Sequence, residues 1–158
     1  MVKTCCVTGH RKIPADKIEY VRQELRREIE QAVRDGHTFF LSGFADGADL
    51  EFTAIVVELK KDNPALFLEA VIPYAGRMKS KDRLFRELLG ACNGIKIISR
   101  EYSPGCYFAR NRYLVEHAER VIAVFDGRER SGTAQTMRLA AAKKCDLRVI
   151  DISDKTNN

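Results

Sequence analysis

The stretch Ser42-Gly43-Phe44-Ala45-Asp46-Gly47-Ala48-Asp49 sets two glycines, a hydroxyl and two carboxylates between an apolar run and an amphipathic one. A small-residue turn that opens a helix brings main-chain N–H groups and the positive end of the helix dipole against an anion, with no cationic side chain required. A second such turn, Gly127 to Thr133, lies near the other end of the chain and carries Gly132 and Thr133. The two predict a phosphate-bearing ligand, although neither has the GxGxxG or GxxxxGKS/T spacing of the standard nucleotide fingerprints. The alternative is that these glycines serve only to turn the chain.

Other residues could share that chemistry. Gly9-His10-Arg11 follows the first apolar run, where a phosphate or ring could meet it. Arg110-Asn111 falls near the start of a helix; the arginine can fork onto a phosphate, and the asparagine can bond a ribose hydroxyl or a base edge. Asp49 and Asp126 are the candidate catalytic carboxylates, because cleaving an N-glycosidic bond needs an acid or base beside an oxocarbenium-like carbon. Asp49 can equally stabilise a helix N-terminus. His37 reads as structural and His117 as a helix C-terminal cap, while Cys106 begins a helix without an identified base. Three histidines and five cysteines offer no metal-ligand spacing, so no metal is expected.

These residues need elements to hold them. Short apolar runs at Thr4 to Thr8, Thr38 to Leu41, Leu66 to Ile72, Ile95 to Ile98, Val121 to Phe125 and Leu147 to Ile152 alternate with segments of helical period. The first helix is expected to open at Asp16 with Glu19 completing a capping box, and Ile18, Val21, Leu25, Ile29 and Ala32 form its apolar stripe. Further helices are expected at about Ala48 to Lys61, Lys81 to Cys92, Tyr107 to Ala118 and Thr133 to Lys144. Strict β-α alternation with near-continuously apolar strands predicts an α/β fold, a mostly parallel sheet between two helical layers. Right-handed connections then gather every loop leaving a strand's C-terminal end on one rim. The expected ligand-contacting set on that rim is Gly9, His10, Arg11, Ser42, Gly43, Ala45, Gly47, Asp49, Pro73, Arg110, Asn111, Asp126, Gly132 and Thr133. The turns at the opposite edge read as plain connections.

The 158 residues, 45% of them hydrophobic, suit one domain over residues 1–152 with a polar tail from Ser153 expected to fray. A net charge of +5 favours anionic partners: nucleotides, nucleic acid or acidic protein surfaces. No signal-peptide pattern and no run of about 18 apolar residues is present, and no CxxC pair occurs, so a reduced, cytoplasmic protein without a membrane partner is expected. Basic residues between Arg22 and Arg34 and between Arg77 and Arg86 read as solvated helix faces, with no regular aromatic platform beside them.

In order along the chain, Cys6-Val7-Thr8-Gly9-His10-Arg11, Ser42 to Asp49, Val71-Ile72-Pro73, Tyr102, Arg110-Asn111-Arg112-Tyr113 and Gly132-Thr133 resemble the YpsA-related group of the SLOG superfamily, the Rossmann-like proteins named for Smf/DprA and LOG. The resemblance runs from Thr4 to about Ile152. It implies a Rossmann-like three-layer fold that binds a nucleotide or nucleotide-derived ligand, a sensor or regulatory role, and a homo-oligomer. By similarity, Gly9, His10 and Arg11 would line the first-strand side, Ser42, Gly43 and Gly47 the second loop, Arg110 and Asn111 one wall, and Gly132 and Thr133 the phosphate loop. Two positions depart from the pattern. Ser131 stands where relatives often have the first glycine of Gly-Gly-Thr, and Gln135 stands where LOG phosphoribohydrolases place a catalytic glutamate.

Three functions therefore compete. Binding of a nucleotide-derived small molecule, ADP-ribose-like ligands included, ranks first. LOG-like N-glycosidic hydrolysis or transfer through Asp49 or Asp126 ranks second, and DprA-like single-stranded nucleic-acid binding third.

Overall fold

The structure is a computed structural model that describes residues 2–154. Six strands, β1 (Lys3–Gly9), β2 (His37–Ser42), β3 (Phe67–Tyr74), β4 (Gly94–Ser99), β5 (Arg120–Phe125) and β6 (Asp146–Asp151), form one sheet in the order β4-β3-β2-β1-β5-β6, with every pairing parallel. Five helices connect them: α1 (Ile18–Arg34), α2 (Ala48–Asp62), α3 (Arg83–Gly90), α4 (Cys106–Glu116) and α5 (Gly132–Ala142). This is the expected α/β architecture, with a Rossmann-like sheet covered on both faces.

Side-chain alternation divides the core. Cys5 points into the cluster beneath α1 and α2, with Val7, Leu25, Ile29, Phe40, Phe52 and Ile122. Cys6 points to the other face, among Leu41 and Val121 of the sheet and Leu114, Val115 and Ala140 of α4 and α5. All five cysteines are free thiols. Building β2, β3 and β4 away from β1 in one direction places α1 to α3 on one face; α4 then carries the chain back across the other face to β5.

Two local readings change. No Asp16–Glu19 capping box forms, because a 3-10 turn, Ala15–Lys17, precedes α1 and is closed by Lys17 N–H donating to the Pro14 carbonyl. The edge opposite the rim is more than plain turns: Arg120, only 5% exposed, bonds Asp35 and Asp146, each at 2.9 Å, and so ties the ends of α1, β5 and β6 together. Of the tail expected to fray, residues 155–158 lie outside the described residues, while Ser153 donates its main-chain N–H to Asp151 at 2.8 Å.

His37 is buried beside Arg120 and Lys3, and burial lowers its pKa, in keeping with a structural role. His117 ends α4, its Nδ1 lying 2.8 Å from the Tyr113 carbonyl and its ring stacked on Tyr113 at 3.9 Å.

Phe52 is fully buried between α2 and β2 and meets the Phe40 ring at 6.2 Å. Replacing it by alanine removes the apolar contacts and leaves a cavity between two layers. Urea denaturation of Phe52→Ala should record a loss of about 3–5 kcal/mol with little change in slope.

Candidate functional site

Loops leaving β1 and β5 turn toward opposite faces of the sheet, so a crevice opens between two adjacent strand ends. His10 closes its base. Its buried ring has Nε2 3.0 Å from Asp126 Oδ1, and Nδ1 lies 3.1 Å from Arg128 Nη2 and 3.4 Å from Thr133 Oγ1. Guanidinium only donates, which makes Nδ1 the acceptor and puts the ring proton on Nε2, facing the carboxylate. The other tautomer would accept from the Asp126 main-chain N–H, also at 3.0 Å, but would set Nδ1–H against Arg128. Burial lowers the His10 pKa; Asp126 opposes this and Arg128 reinforces it, so the ring is neutral at pH 7. Burial pushes Asp126 upward, but main-chain and side-chain hydrogen bonds from Arg128 outweigh that and hold it below the usual carboxylate value.

On the β5 side the chain enters α5 through Ser131, whose hydroxyl accepts from Ala134 N–H at 3.1 Å and donates to the Arg128 carbonyl at 2.8 Å. The serine that replaces a family glycine is thus an N-cap, and its proton is already placed. Gly132 and Thr133 follow, ahead of the first intrahelical N–H bond, and both line the crevice. Gln135 is exposed and does not line it.

The glycine turn after β2 is built differently from the expectation. Its amides are largely consumed from within: Phe44 N–H donates to Ser42 Oγ at 3.2 Å, Ala45 N–H to Asp49 Oδ2 at 3.1 Å, and Ala48 N–H to the His10 carbonyl at 3.2 Å. Ser42 is fully buried and receives the Thr53 hydroxyl at 2.7 Å. Gly47 enters α2 at φ 78°, and a Cβ there would strike the His10 and Arg11 carbonyls. Ser42 and Gly47 are therefore structural, and this turn is not an open anion cradle.

What the turn offers instead is a carboxyl group and an arginine. Arg110, 5% exposed, donates to the Gly43 carbonyl at 2.6 Å and to Asn111 Oδ1 at 2.8 Å. A side chain on Gly43 would fall 2.7 Å from Arg110 Nη1 and 2.9 Å from Asp49 Oδ2, so only glycine lets the three meet. Burial raises the Asp49 pKa to about 6, with Arg110 and the Ala45 amide pulling against it. Burial likewise lowers Arg110, with Asp49 opposing.

Together these groups enclose a cavity of about 480 Å³. Of the expected residues, Gly9, His10, Arg11, Ala45, Asp49, Arg110, Asn111, Gly132 and Thr133 line it. Gly43 and Pro73 line a smaller recess of about 70 Å³, which shares Arg11, Ala45, Tyr107 and Arg110 with the cavity. Asp126 is not in either wall; it positions His10 and Arg128. Lys12, Tyr107, Arg128 and Arg130 line the cavity without having been expected there. The two loop arginines lie within the recognised rim turn, so position alone would have suggested them. Tyr107, with Arg11 Cζ 4.9 Å from its ring centre, carried no such signal. Cys106 is buried beneath it and lines neither space. Five cationic side chains, Arg11, Lys12, Arg110, Arg128 and Arg130, thus line the cavity with one carboxyl group, that of Asp49.

A carboxyl group with a pKa raised on folding favours the native state below its unfolded value and loses that contribution as pH rises through its folded one. For Asp49, stability should fall as pH climbs from about 4 to about 6. Urea midpoints of the wild type and Asp49→Asn at pH 4 and pH 7 should diverge by the order of 1–3 kcal/mol, the variant being favoured at pH 7. Parallel pH profiles would contradict the assignment.

Comparison with known proteins agrees with this geometry at the level of fold and family. A UPF0398 protein of Bacillus pumilus is 23% identical over 165 residues, covering 96% of this chain and 88% of that protein. One from Staphylococcus aureus is 23% identical over 170 residues, covering 99% and 86%. Among solved structures, DNA processing protein A from Helicobacter pylori, described as binding single-stranded DNA, superposes with a TM-score of 0.69 at 20% identity over 99% of this chain and 67% of that one. The structural-genomics target TM1055 gives 0.61 at 17% identity over 92% and 72%. The YpsA model, described as the YspA SLOG family, matches residues 5–154. With nearly its whole length matched, the chain belongs to the YpsA SLOG family.

Proposed function

We propose that this protein binds a nucleotide or nucleotide-derived anion in the rim cavity and acts as a sensor or regulatory module. The observation that supports this most directly is the charge of the wall: five cations against one carboxyl group, beside the unpaired first amides of α5. A volume of about 480 Å³ is that of a small-molecule site, which spans roughly 300–1,000 Å³. In this reading a phosphate meets Gly132 and Thr133 with Arg128 and Arg130 at its flanks. Gly9 lines the cavity while leaving room for Ala48, whose Cβ a side chain on Gly9 would strike, and Asn111 reaches a ribose hydroxyl or base edge.

Thermal denaturation against mononucleotides, cyclic nucleotides, dinucleotides and ADP-ribose tests it. A ligand at about a hundred times its Kd should stabilise by roughly 2.7 kcal/mol. Arg128→Gln should weaken that ligand by about tenfold or more, the loss of one charge-assisted hydrogen bond. No stabilisation by any member of the panel would refute the reading. The fold shared with a single-stranded DNA binder gives an oligonucleotide a place in the same panel; binding that falls steeply with salt would favour that partner.

One observation favours a second reading. Asp49 lines the cavity with its pKa raised to about 6, the condition for a general acid near neutral pH. In N-glycosidic cleavage it would protonate the departing base while water attacks the anomeric carbon. Asp126, bonded to Arg128 and His10 and outside the cavity wall, lacks that opportunity. Chromatographic assay of nucleoside 5′-monophosphates should then record free base, reduced at least a hundredfold in Asp49→Asn. Absence of base release from every monophosphate would eliminate catalysis and leave binding.

A further inference from the structure

Beyond the arginine wall the rim carries a cluster of tyrosines from three separate segments. Tyr74 ends β3, Tyr102 lies in the loop after β4, and Tyr107 sits in the first turn of α4. Tyr74 and Tyr102 meet edge to face at 5.4 Å, Tyr74 and Tyr107 at 6.3 Å, and Tyr102 and Tyr107 at 6.5 Å. The cluster is not visible in the sequence, because the contributing positions are 28 and 5 residues apart (74 to 102, 102 to 107) and belong to different elements. Tyr107 lines both cavities, with Arg11 Cζ 4.9 Å and Arg110 Cζ 5.7 Å from its ring centre. Tyr102 lines neither. It is 62% exposed, the most exposed large hydrophobic residue of the described chain, yet two other rings cross it at 81° and 65°. Its loop is pinned where Ser99 donates to the Glu101 carbonyl at 2.7 Å.

A ring with much of its surface in water, next to Tyr107 and the arginines over that ring, has the form of a stacking surface for a planar, electron-poor ring carried by an anion. The main cavity runs from Gly132 and Thr133 to Tyr107, and the recess continues from Tyr107 to Pro73 and Arg77. A mononucleotide anchored at α5 would leave the tyrosine end unused. We infer that Tyr102, backed by Tyr74 and Tyr107, is a second aromatic subsite, and that the ligand is a dinucleotide-type small molecule whose far base stacks on Tyr102. This rests on the nucleotide reading above and adds to it the length of the ligand.

Calorimetric titration of the intact protein with AMP and with diadenosine diphosphate separates the two claims. The dinucleotide should bind at least tenfold more tightly than AMP. Tyr102→Ala should abolish that advantage, a loss of about 10- to 100-fold, while changing AMP affinity less than twofold; Tyr102→Phe and Tyr102→Trp should keep it. AMP binding with no gain for the dinucleotide, or a gain indifferent to Tyr102→Ala, overturns the subsite and leaves the nucleotide reading standing. Failure of both probes to bind overturns the subsite, whereas the nucleotide reading falls only if the wider panel above fails as well. An oligothymidylate that binds more tightly than the dinucleotide overturns the small-molecule assignment in favour of a strand.

Discussion

The buried carbonyl of Gly43 accepts a hydrogen bond from an arginine that belongs to the opposite layer of the molecule. Much of the rim depends on that bond. It fixes α4, which crosses the sheet, to the turn after β2, and it leaves Arg110 in the wall of a cavity whose strand residues come from β1. Burying the guanidinium is unfavourable unless its donors are used, and the Gly43 carbonyl and Asn111 use them. Asp49 lies close enough to offset the charge, yet burial still leaves its carboxyl group easier to protonate than a solvated one. A local electrostatic compromise therefore sets both the shape of the wall and the chemistry available in it.

His10 performs the complementary task on the other side. Its carbonyl takes the first amide of α2, and its ring joins Asp126, Arg128 and Thr133. One residue after β1 thus couples the helix on one face to the loop that opens the helix on the other. The crevice between β1 and β5 is a consequence of strand order, but its dimensions follow from this bridge. The neutral imidazole suits the role, because it can serve a carboxylate and a guanidinium at once.

The layered fold and the rim were legible because they depend on periodicity and on the fixed hand of β-α connections. Apolar runs at Val7, Phe40, Val71 and Val124 could only be buried strands, and the loops after them had to converge. Less legible was which amides of a glycine turn remain free. That depends on partners such as the Asp49 carboxylate and the His10 carbonyl, which reach the turn from seemingly unrelated positions, so Ser42 and Gly47 looked like ligand contacts when they are internal braces. Charged loop residues posed the reverse problem: composition reads Arg128 and Arg130 as solvated side chains, and only their place in the rim turn hints at the cavity they face. Nor could a capping motif be distinguished from a 3-10 entry by residue types alone, since Pro14 decides the geometry before Asp16 is reached.

The contact between Gly47 and the carbonyls of His10 and Arg11 has an evolutionary corollary. Two loops locked backbone to backbone cannot drift separately: a side chain on Gly47 would displace the loop after β1, which gives only main-chain atoms to the contact and keeps the Arg11 side chain outside it. Diversification within such a scaffold is channelled to side chains that hang from the interlock without forming it, chiefly the arginines preceding α5 and the aromatic residues around α4. Paralogues that recognise different molecules would be expected to share the knot and differ at its fringe.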